Sequence, residues 1–334
     1  MSLARYTVRR LLQAIPVIIG ISMITFFLTN AIPGDPARIL VGPGAPADAV
    51  EQIRLRYGLD RPLHVRYYYY MIGVLQGDLG TSIHYGGAPV LDKILERLPV
   101  TLLLMSTSFL FAISIAIPLG VISANRRNKP TDHISRVIAL FGVSTPSFWI
   151  GLMLIIIFAF HLDVLPASGL VMPWADPASV KAADTRLGVL RQAGIHLIMP
   201  SITLGALYMA AQMRIERSSM LEVLNQPYID LARAYGISEG KILRKHAFHN
   251  AQLPVITVLG LQITSALGGA VLTEVVFNIP GMGRLIITAI NNADYQLVMG
   301  TTLFFGVVFV VGVIVTDILY AYVDPRVRYG GEGA

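Results

Sequence analysis

Six stretches of this chain are apolar for long enough to cross the hydrocarbon core of a bilayer, at about Leu11–Ala31, Pro99–Ala124, Val137–Phe160, Ile195–Met213, Leu253–Phe277 and Val298–Val323. Hydrocarbon holds no water to satisfy a backbone N–H or C=O, so runs of this length are expected as helices, each closing its own hydrogen bonds. The expected fold class is an all-α integral membrane protein with six transmembrane helices. Composition agrees: 54% of residues are hydrophobic and 14% charged, and the mean hydropathy is +0.63. That is too apolar for a soluble domain of this size.

An even number of spans puts both termini on one side, and basic residues in the short loops say which. Arg5, Arg9 and Arg10 precede the first span. Arg126, Arg127 and Lys129 follow the second, Arg214 and Arg217 the fourth, and Arg326 and Arg328 the sixth. The positive-inside rule makes these four segments, and hence both termini, cytoplasmic. The connections on the other face are long at Pro33–Leu98 and His161–Gly194 and short at Asn278–Leu297. The net charge of +6 is then mostly topology, and no basic face with interleaved aromatics points to a nucleic acid. The first span could be read as a cleaved signal peptide, with Arg9-Arg10 before it and small Thr29 and Ala31 near its end. Its apolar run exceeds a usual signal core and its removal would break the charge pattern, so it is expected to be retained. The chain has no cysteine, which excludes a disulfide framework or a thiolate metal site.

Between the fourth and fifth apolar runs lies a cationic, helix-compatible segment, Tyr228 to Thr257. Asp230 to Tyr235 reads as a short helix. Gly236 is placed to stop it, since glycine takes the positive φ that closes a helix C-terminus at little cost. Ser238 is expected to cap a second helix from about Glu239 to Asn250, although Lys241 cannot complete a capping box. Small Ala232 and Ala234 would let such an elbow enter a groove, with Arg233, Lys241, Arg244 and Lys245 left to meet carboxylates. The same basic residues would equally favour an amphipathic helix resting on anionic lipid.

The pattern Asp230, Ala232, Gly236 and then Leu253-Pro254 resembles the EAA loop of ABC importer membrane subunits. It departs from the common form in having Asp230 for Glu, Leu231 for the first Ala and a longer run from Gly236 to Pro254. That run, with Ala232-Arg233-Ala234, His246-Ala247 and Asn250-Ala251, is similar to the dipeptide, oligopeptide and nickel permease branch. Further matching motifs are Ile32-Pro33-Gly34-Asp35-Pro36, Tyr57-Gly58-Leu59-Asp60, Gly77-Asp78-Leu79-Gly80, Arg217-Ser218-Ser219-Met220, Leu272-Thr273-Glu274, Pro280-Gly281-Met282-Gly283-Arg284 and Asp324-Pro325-Arg326. Their order and spacing carry the resemblance.

The resemblance implies a type I ABC importer permease fold as one transmembrane domain over 1–334, with 33–98 extracytoplasmic and 214–252 a cytoplasmic coupling loop. Asp230, Ala232, Arg233, Ala234, Tyr235, Gly236 and Ser238 would form the ATPase-coupling site. Implied partners are a second, homologous permease subunit, two cytoplasmic ATPase subunits, which would bind ATP and magnesium, and an extracytoplasmic binding protein that delivers peptide. No cofactor is expected in this chain. The implied location is a bacterial or archaeal cytoplasmic (inner) membrane. Within the family the cargo could instead be nickel, glutathione or an oligosaccharide.

Polar residues in the spans are the remaining signals, because hydrocarbon penalises them. Gln262, Thr264, Ser265, Gly268, Gly269, Thr273 and Glu274 crowd the fifth span, and Ser265 to Gly269 is a small-x-x-x-small pair. Gln262, Ser265, Gly269, Thr273 and Glu274 are candidates for a translocation path, with helix packing the alternative. Asp317 in the last span has an equally plain reading as the partner of an Arg. Pro118 and Pro146 are expected to kink their helices, with Ser144, Thr145 and Ser147 available to satisfy the freed backbone at the second. A secondary transporter would use Glu274 and Asp317 as relays, but the elbow and the lack of an inverted repeat argue against it. Signs of an enzyme fail. Gly236 to Ile242 is one residue short of a P-loop and has Ile where the hydroxyl belongs, and Gly42 to Ala47 opens no strand-to-helix unit. His246 and His249 have no third metal ligand near in sequence, and His161 with Asp163 reads as interfacial polarity.

The absence of native cysteine makes the topology directly testable. Single Ser238→Cys and Asn128→Cys variants are expected to be protected from an impermeant thiol reagent in intact cells, whereas Ala47→Cys and Ala178→Cys should label. Labelling at Ser238 from outside would reverse the orientation.

Overall fold

The computed structural model describes residues 3–31, 36–42, 44–56, 58–181 and 183–323. The motif residues 32–35, Tyr57 and 324–326, and the flanking Arg326 and Arg328, lie outside the described residues. The fold is almost wholly helical, as expected. Among the described residues four helices are long and apolar enough to cross a membrane: α1 (Leu3–Ala31), α5 (Val90–Asn125), α8 (Arg186–Leu224) and α13 (Tyr295–Val323). Two bent segments bring the number to six when each is counted as one span. One is α6 (Pro130–Ser144) with α7 (Ser147–Leu154) and the π-turn that extends it. The other is α10 (Glu239–Lys241), a π-turn and α11 (Phe248–Val276). The helices overrun the apolar windows: α5 starts at Val90 rather than Pro99, and α8 spans Arg186–Leu224 rather than Ile195–Met213. Apolar residues mark only the part that suits hydrocarbon, while Arg, Gln and Glu at the ends continue the same backbone ladder.

Contacts divide the chain into two compact units, the first comprising Val100–Pro280 and Val315–Ala334, the second Ser2–Pro99 and Gly281–Ile314. In the first unit α8 is the central element, packed against α6, α7 and α11. Its approach to α5 depends on small residues. A Cβ added at Gly205 would lie 2.7 Å from the Ser108 carbonyl oxygen. Ser201 donates a hydrogen bond to Thr107 at 2.8 Å, and the Phe109 and Tyr208 rings stack at 4.7 Å. Backbones this close gain dispersion contacts in a setting where no hydrophobic force pushes helices together.

The third apolar run is broken rather than merely kinked. Helix α6 ends at Ser144, Pro146 sits at φ −58° and ψ 133°, and α7 leaves at 103° to α6. Proline disfavours the helical conformation in the residue before it, and Thr145 is accordingly extended at ψ 127°. The backbone closes the gap itself: Thr145 N–H bonds Phe141 O at 3.0 Å, and Trp149 N–H bonds Pro146 O at 3.0 Å. At Pro118, by contrast, α5 runs on as helix. Helix α11 turns by 52° between Ala266 and Ala270. Lower down it meets α13 closely, since a Cβ at Gly260 would lie 2.8 Å from Thr316 Cγ2.

One buried ion pair ties three helices together in this unit. Asp132, in the first turn of α6, has no exposed surface. Arg217 of α8 donates to both its oxygens, Nε to Oδ1 at 2.8 Å and Nη2 to Oδ2 at 3.0 Å. Ser123 of α5 adds a bond at 2.6 Å, and the Asn128 backbone N–H another at 2.9 Å. Nearby, buried Glu216 accepts two bonds from Gln252 Nε2, each 3.1 Å, joining α8 to α11.

The second unit contains α1, the short helices α2 (Pro36–Val41), α3 (Ala47–Arg56) and α4 (Leu63–Leu75), and α12 (Met282–Asn291). It also holds strands β1 (Thr81–Ser82) and β2 (Ala88–Pro89), which pair antiparallel with Ser82 opposite Ala88. Its core joins Val90 and Ile94 to Met282, Leu285, Ala289 and Leu297. Asp294 caps α13 through a 3.2 Å bond from Leu297 N–H, and also accepts from the Ser82 hydroxyl and the His84 backbone. Ser22 and Tyr67 share a hydrogen bond of 2.7 Å that seats α4 on α1.

Removing one member of a buried pair strands the other charge. Arg217→Leu is therefore expected to lower the stability of the detergent-solubilised protein by about 3–5 kcal/mol. The double variant Asp132→Leu with Arg217→Leu should recover most of that loss in a thermal unfolding measurement, since no buried charge is then left unpaired.

Candidate coupling surface

Between α8 and α10 the chain forms one short helix, α9 (Pro227–Ala234). Proline at its first position presets φ and sacrifices an N–H that would have no helical partner anyway. The helix ends at Gly236, whose φ is +74°. Ile237 N–H reaches back to Ala232 O at 3.1 Å and Gly236 N–H to Arg233 O at 2.9 Å. This paired closure satisfies the last carbonyls and is the stop that the sequence indicated.

Two local expectations need correction. Ser238 occupies the N-cap position, but its side chain makes no capping bond. The second helix is not a short piece ending near Asn250: Glu239 leads through a π-turn, Ile242–Ala247, directly into α11. Pro254 of the motif lies inside α11, so the elbow's second arm and the fifth apolar run are one continuous element.

The buried face of α9 fixes its position. Ile229 and Ala232 pack with Ala124 of α5, Met220 of α8, Ile242 and Ala247 of the π-turn and Ala251 of α11. Asn250 also donates to the Tyr228 hydroxyl at 3.0 Å. Ala232 is only 8% exposed, so it faces the chain's own core rather than a partner's groove. Ala234 is exposed. The outer surface is instead set by Tyr228, Leu231 and Tyr235, which are 41%, 56% and 78% exposed. They recur at i, i+3 and i+7 and so form one stripe on the helix. Of the three, only Tyr235 was among the coupling-site residues expected from sequence, although the Tyr-Leu-Tyr spacing was visible there.

Arg233 is not free to meet an outside carboxylate. Its Nε donates to Glu239 Oε1 at 2.9 Å and its Nη1 to Asp230 Oδ1 at 3.1 Å, bridging α9 to α10. Glu239 first, and then Asp230, hold its pKa above the ordinary guanidinium value. Lys241, Arg244 and Lys245 are exposed along the next turns and make no ion pair among the described residues.

The five residues put forward for a path separate into two groups. Gln262 is half-buried and Ser265 exposed, its hydroxyl bonding Gln262 O at 3.0 Å; Gly269 lies in the backbone of α11. Thr273 and Glu274 are fully buried, and Thr101 donates to Glu274 Oε1 at 2.6 Å. That places the pair in helix packing rather than on an open face. Asp132 and Glu216 carry no sequence signature beyond an acidic residue in a first helical turn and a carboxylate next to the Arg217 motif, and sequence reading passed over both.

Comparison with known proteins gives this geometry a context. Residues 116–329 match the family described as the binding-protein-dependent transport system inner membrane component, and residues 3–107 match the N-terminal family of the same membrane components. The chain is similar to the oligopeptide transport system permease protein AppB of Bacillus subtilis, with 40% identity covering 98% of this chain and 100% of the relative. It is 42% identical to the probable D,D-dipeptide transport system permease protein DdpB of Escherichia coli, covering 94% and 95%. The dipeptide transport system permease protein DppB of Alkalihalophilus pseudofirmus is 41% identical, covering 97% and 99%. The chain belongs to the family of binding-protein-dependent transport system membrane components and is a multi-pass membrane permease.

A side chain at Gly236 would have to adopt the left-handed conformation, which costs a β-branched residue about 1–2 kcal/mol or more. Gly236→Val is expected to insert and assemble, yet to lose most substrate-stimulated ATPase activity of the reconstituted complex. A fully coupled variant would show that the stop of α9 has no part in coupling.

Proposed function

We propose that this chain is the pore-forming half of an ATP-driven peptide importer and that α9 is its contact with a cytoplasmic ATPase subunit. The observation that carries the reading is the form of α9: a short helix with an exposed Tyr228, Leu231 and Tyr235 stripe, braced from behind by α5, α8 and α11. Exposed aromatic anchors on a rigid support suit insertion into a groove on a soluble partner. Asp230, Arg233 and Glu239 would then keep α9 and α10 at a fixed angle, and Lys241, Arg244 and Lys245 would offer charge to the rim of the contact.

In this reading the chain pairs with a second, homologous permease subunit, two ATPase subunits hold ATP and magnesium, and an extracytoplasmic binding protein supplies the cargo. The chain itself catalyses nothing. When ATP draws the ATPase subunits together, the paired grooves carry α9 with them, and the bracing hands the displacement to α5, α8 and α11. ATP biases the outward-open state only by its differential affinity for the two arrangements, and a shift from 1:99 to 99:1 requires about 5.5 kcal/mol. Gln262, Ser265 and Gly269 are the residues we assign to the path. Peptide is favoured as cargo by the names of the relatives; glutathione, nickel or an oligosaccharide would use the same machine. The membrane is the inner, cytoplasmic one, with both termini and residues 214–252 on the cytoplasmic side.

Leu231→Asp places a charge in the middle of the exposed stripe without touching the buried face. It should leave the permease folded and membrane-inserted while lowering ATPase retention on affinity purification and substrate-stimulated ATP hydrolysis at least tenfold. Wild-type coupling in this variant would remove α9 from the contact.

A further inference from the structure

The second unit contains a cavity of about 540 Å³, a size usual for small-ligand sites. One wall is a face of α4, where Arg66, Tyr69, Tyr70 and Gly73 stand at helical spacing, joined by Arg61 just before it. The Arg61 guanidinium lies 4.9 Å from the centre of the Tyr69 ring. The lining continues through the turn from Asp78 to Ile83, which leaves the end of α4 with Asp78 N–H bonded to Gly73 O at 2.8 Å. That turn is pinned, because the Gln296 side chain accepts from Thr81 N–H at 2.6 Å and Asp294 holds Ser82 and His84. Asp78 Oδ1 is itself fixed by Gly80 N–H at 2.8 Å.

The charges in this cavity do not cancel by contact. Arg66 is half-buried and makes neither a hydrogen bond nor an ion pair with any described residue, and Asp78, in the same lining, is ion-paired with none. Burial lowers the Arg66 pKa, a sign of a cation held partly out of water without a compensating anion. An arginine placed this way is suited to a carboxylate, which it can bind through two parallel N–H bonds. Tyr70, whose pKa is raised first by burial and then by Tyr67, remains a neutral hydroxyl beside it.

We propose that this cavity is a binding site for a short zwitterionic peptide, with Arg66, aided by Arg61, receiving the α-carboxylate and Asp78 the α-ammonium group. The site deepens the peptide reading above and rests on it. It lies on the segment assigned to the extracytoplasmic side, where cargo released by the binding protein would meet it before translocation. Tyr69, Tyr70 and Phe26 supply apolar surface for side chains of any sequence, so the termini rather than the residues between them are recognised.

The test uses the assembled complex in lipid nanodiscs, without the binding protein or ATP, and isothermal titration with trialanine, N-acetyl-trialanine and trialanine amide. Wild type should bind trialanine and discriminate against each blocked peptide by about tenfold. Arg66→Gln should bind trialanine and its amide alike, Asp78→Asn should bind trialanine and its N-acetyl form alike, and Arg61→Gln provides a second cationic variant if Arg66→Gln fails to assemble. Unchanged discrimination in assembled Asp78→Asn and in either assembled arginine variant overturns the site. A separate titration of the same nanodiscs with the binding protein adds one more overturning result: an arginine variant that holds that protein more weakly while keeping wild-type trialanine preferences, because the arginines would then serve that protein. Peptide import assayed alongside separates the site from the peptide function on which it rests. Import that persists while the variants keep wild-type discrimination refutes this site alone, whereas a wild-type complex that neither binds nor imports trialanine refutes the peptide reading with it.

Discussion

Every element of this fold is shaped by the backbone's need to close its own hydrogen bonds where water does not reach. That requirement makes the long segments helical, and it also governs where they are allowed to break. At Thr145-Pro146 the chain turns sharply, yet N–H groups on either side find Phe141 O and Pro146 O. At Gly236 a positive φ lets two N–H groups fold back onto the last carbonyls of α9. The π-turns at Ile155–His161 and Ile242–Ala247 change helical register without leaving the ladder.

Side-chain polarity obeys the same rule. Asp132 is buried at the meeting of α5, α6 and α8, and its two oxygens are met by Arg217, Ser123 and the Asn128 backbone. Such a pair adds little net stability over apolar packing, and here it joins Arg217 of α8 to the first turn of α6 and to Ser123 of α5. The apolar cluster behind α9 begins a short way along the same helices, at Ala124 and Met220. A small helix that would be marginal alone is thereby held by the ends of three long ones.

The helical class, the six apolar segments and the stop at Gly236 were legible because each rests on a local rule: run length in hydrocarbon, or a residue able to take positive φ. The direction in which Ala232 points was not legible, since a small residue suits both a partner's groove and a tight internal contact; only the positions of Met220 and Ala251 decide between them. The union of the elbow's second arm with the fifth span was not legible because the composition changes from cationic to apolar near Leu253, whereas the helix runs on through Pro254. Asp132 and Glu216 were missed because their partners lie in distant sequence, at Arg217 and Gln252. Thr273 and Glu274 drew notice as costly polar groups, yet polarity alone does not say whether such a residue meets water or a neighbouring helix, as Thr101 does here.

The close meeting of Gly260 with Thr316 is a point about which the long α10–α11 element could turn. From Glu239 to Gly260 the arm measures about 32 Å, and from Gly260 to Ala266 about 9 Å, at 1.5 Å per residue. Were the element to pivot there as a rigid rod, a sideways push at its Glu239 end would arrive beyond the contact reversed in direction and reduced about three- to fourfold in travel, with the force raised in the same proportion. Such an arm trades distance for leverage, and the bend beyond Ala266 sets the direction in which that force is delivered.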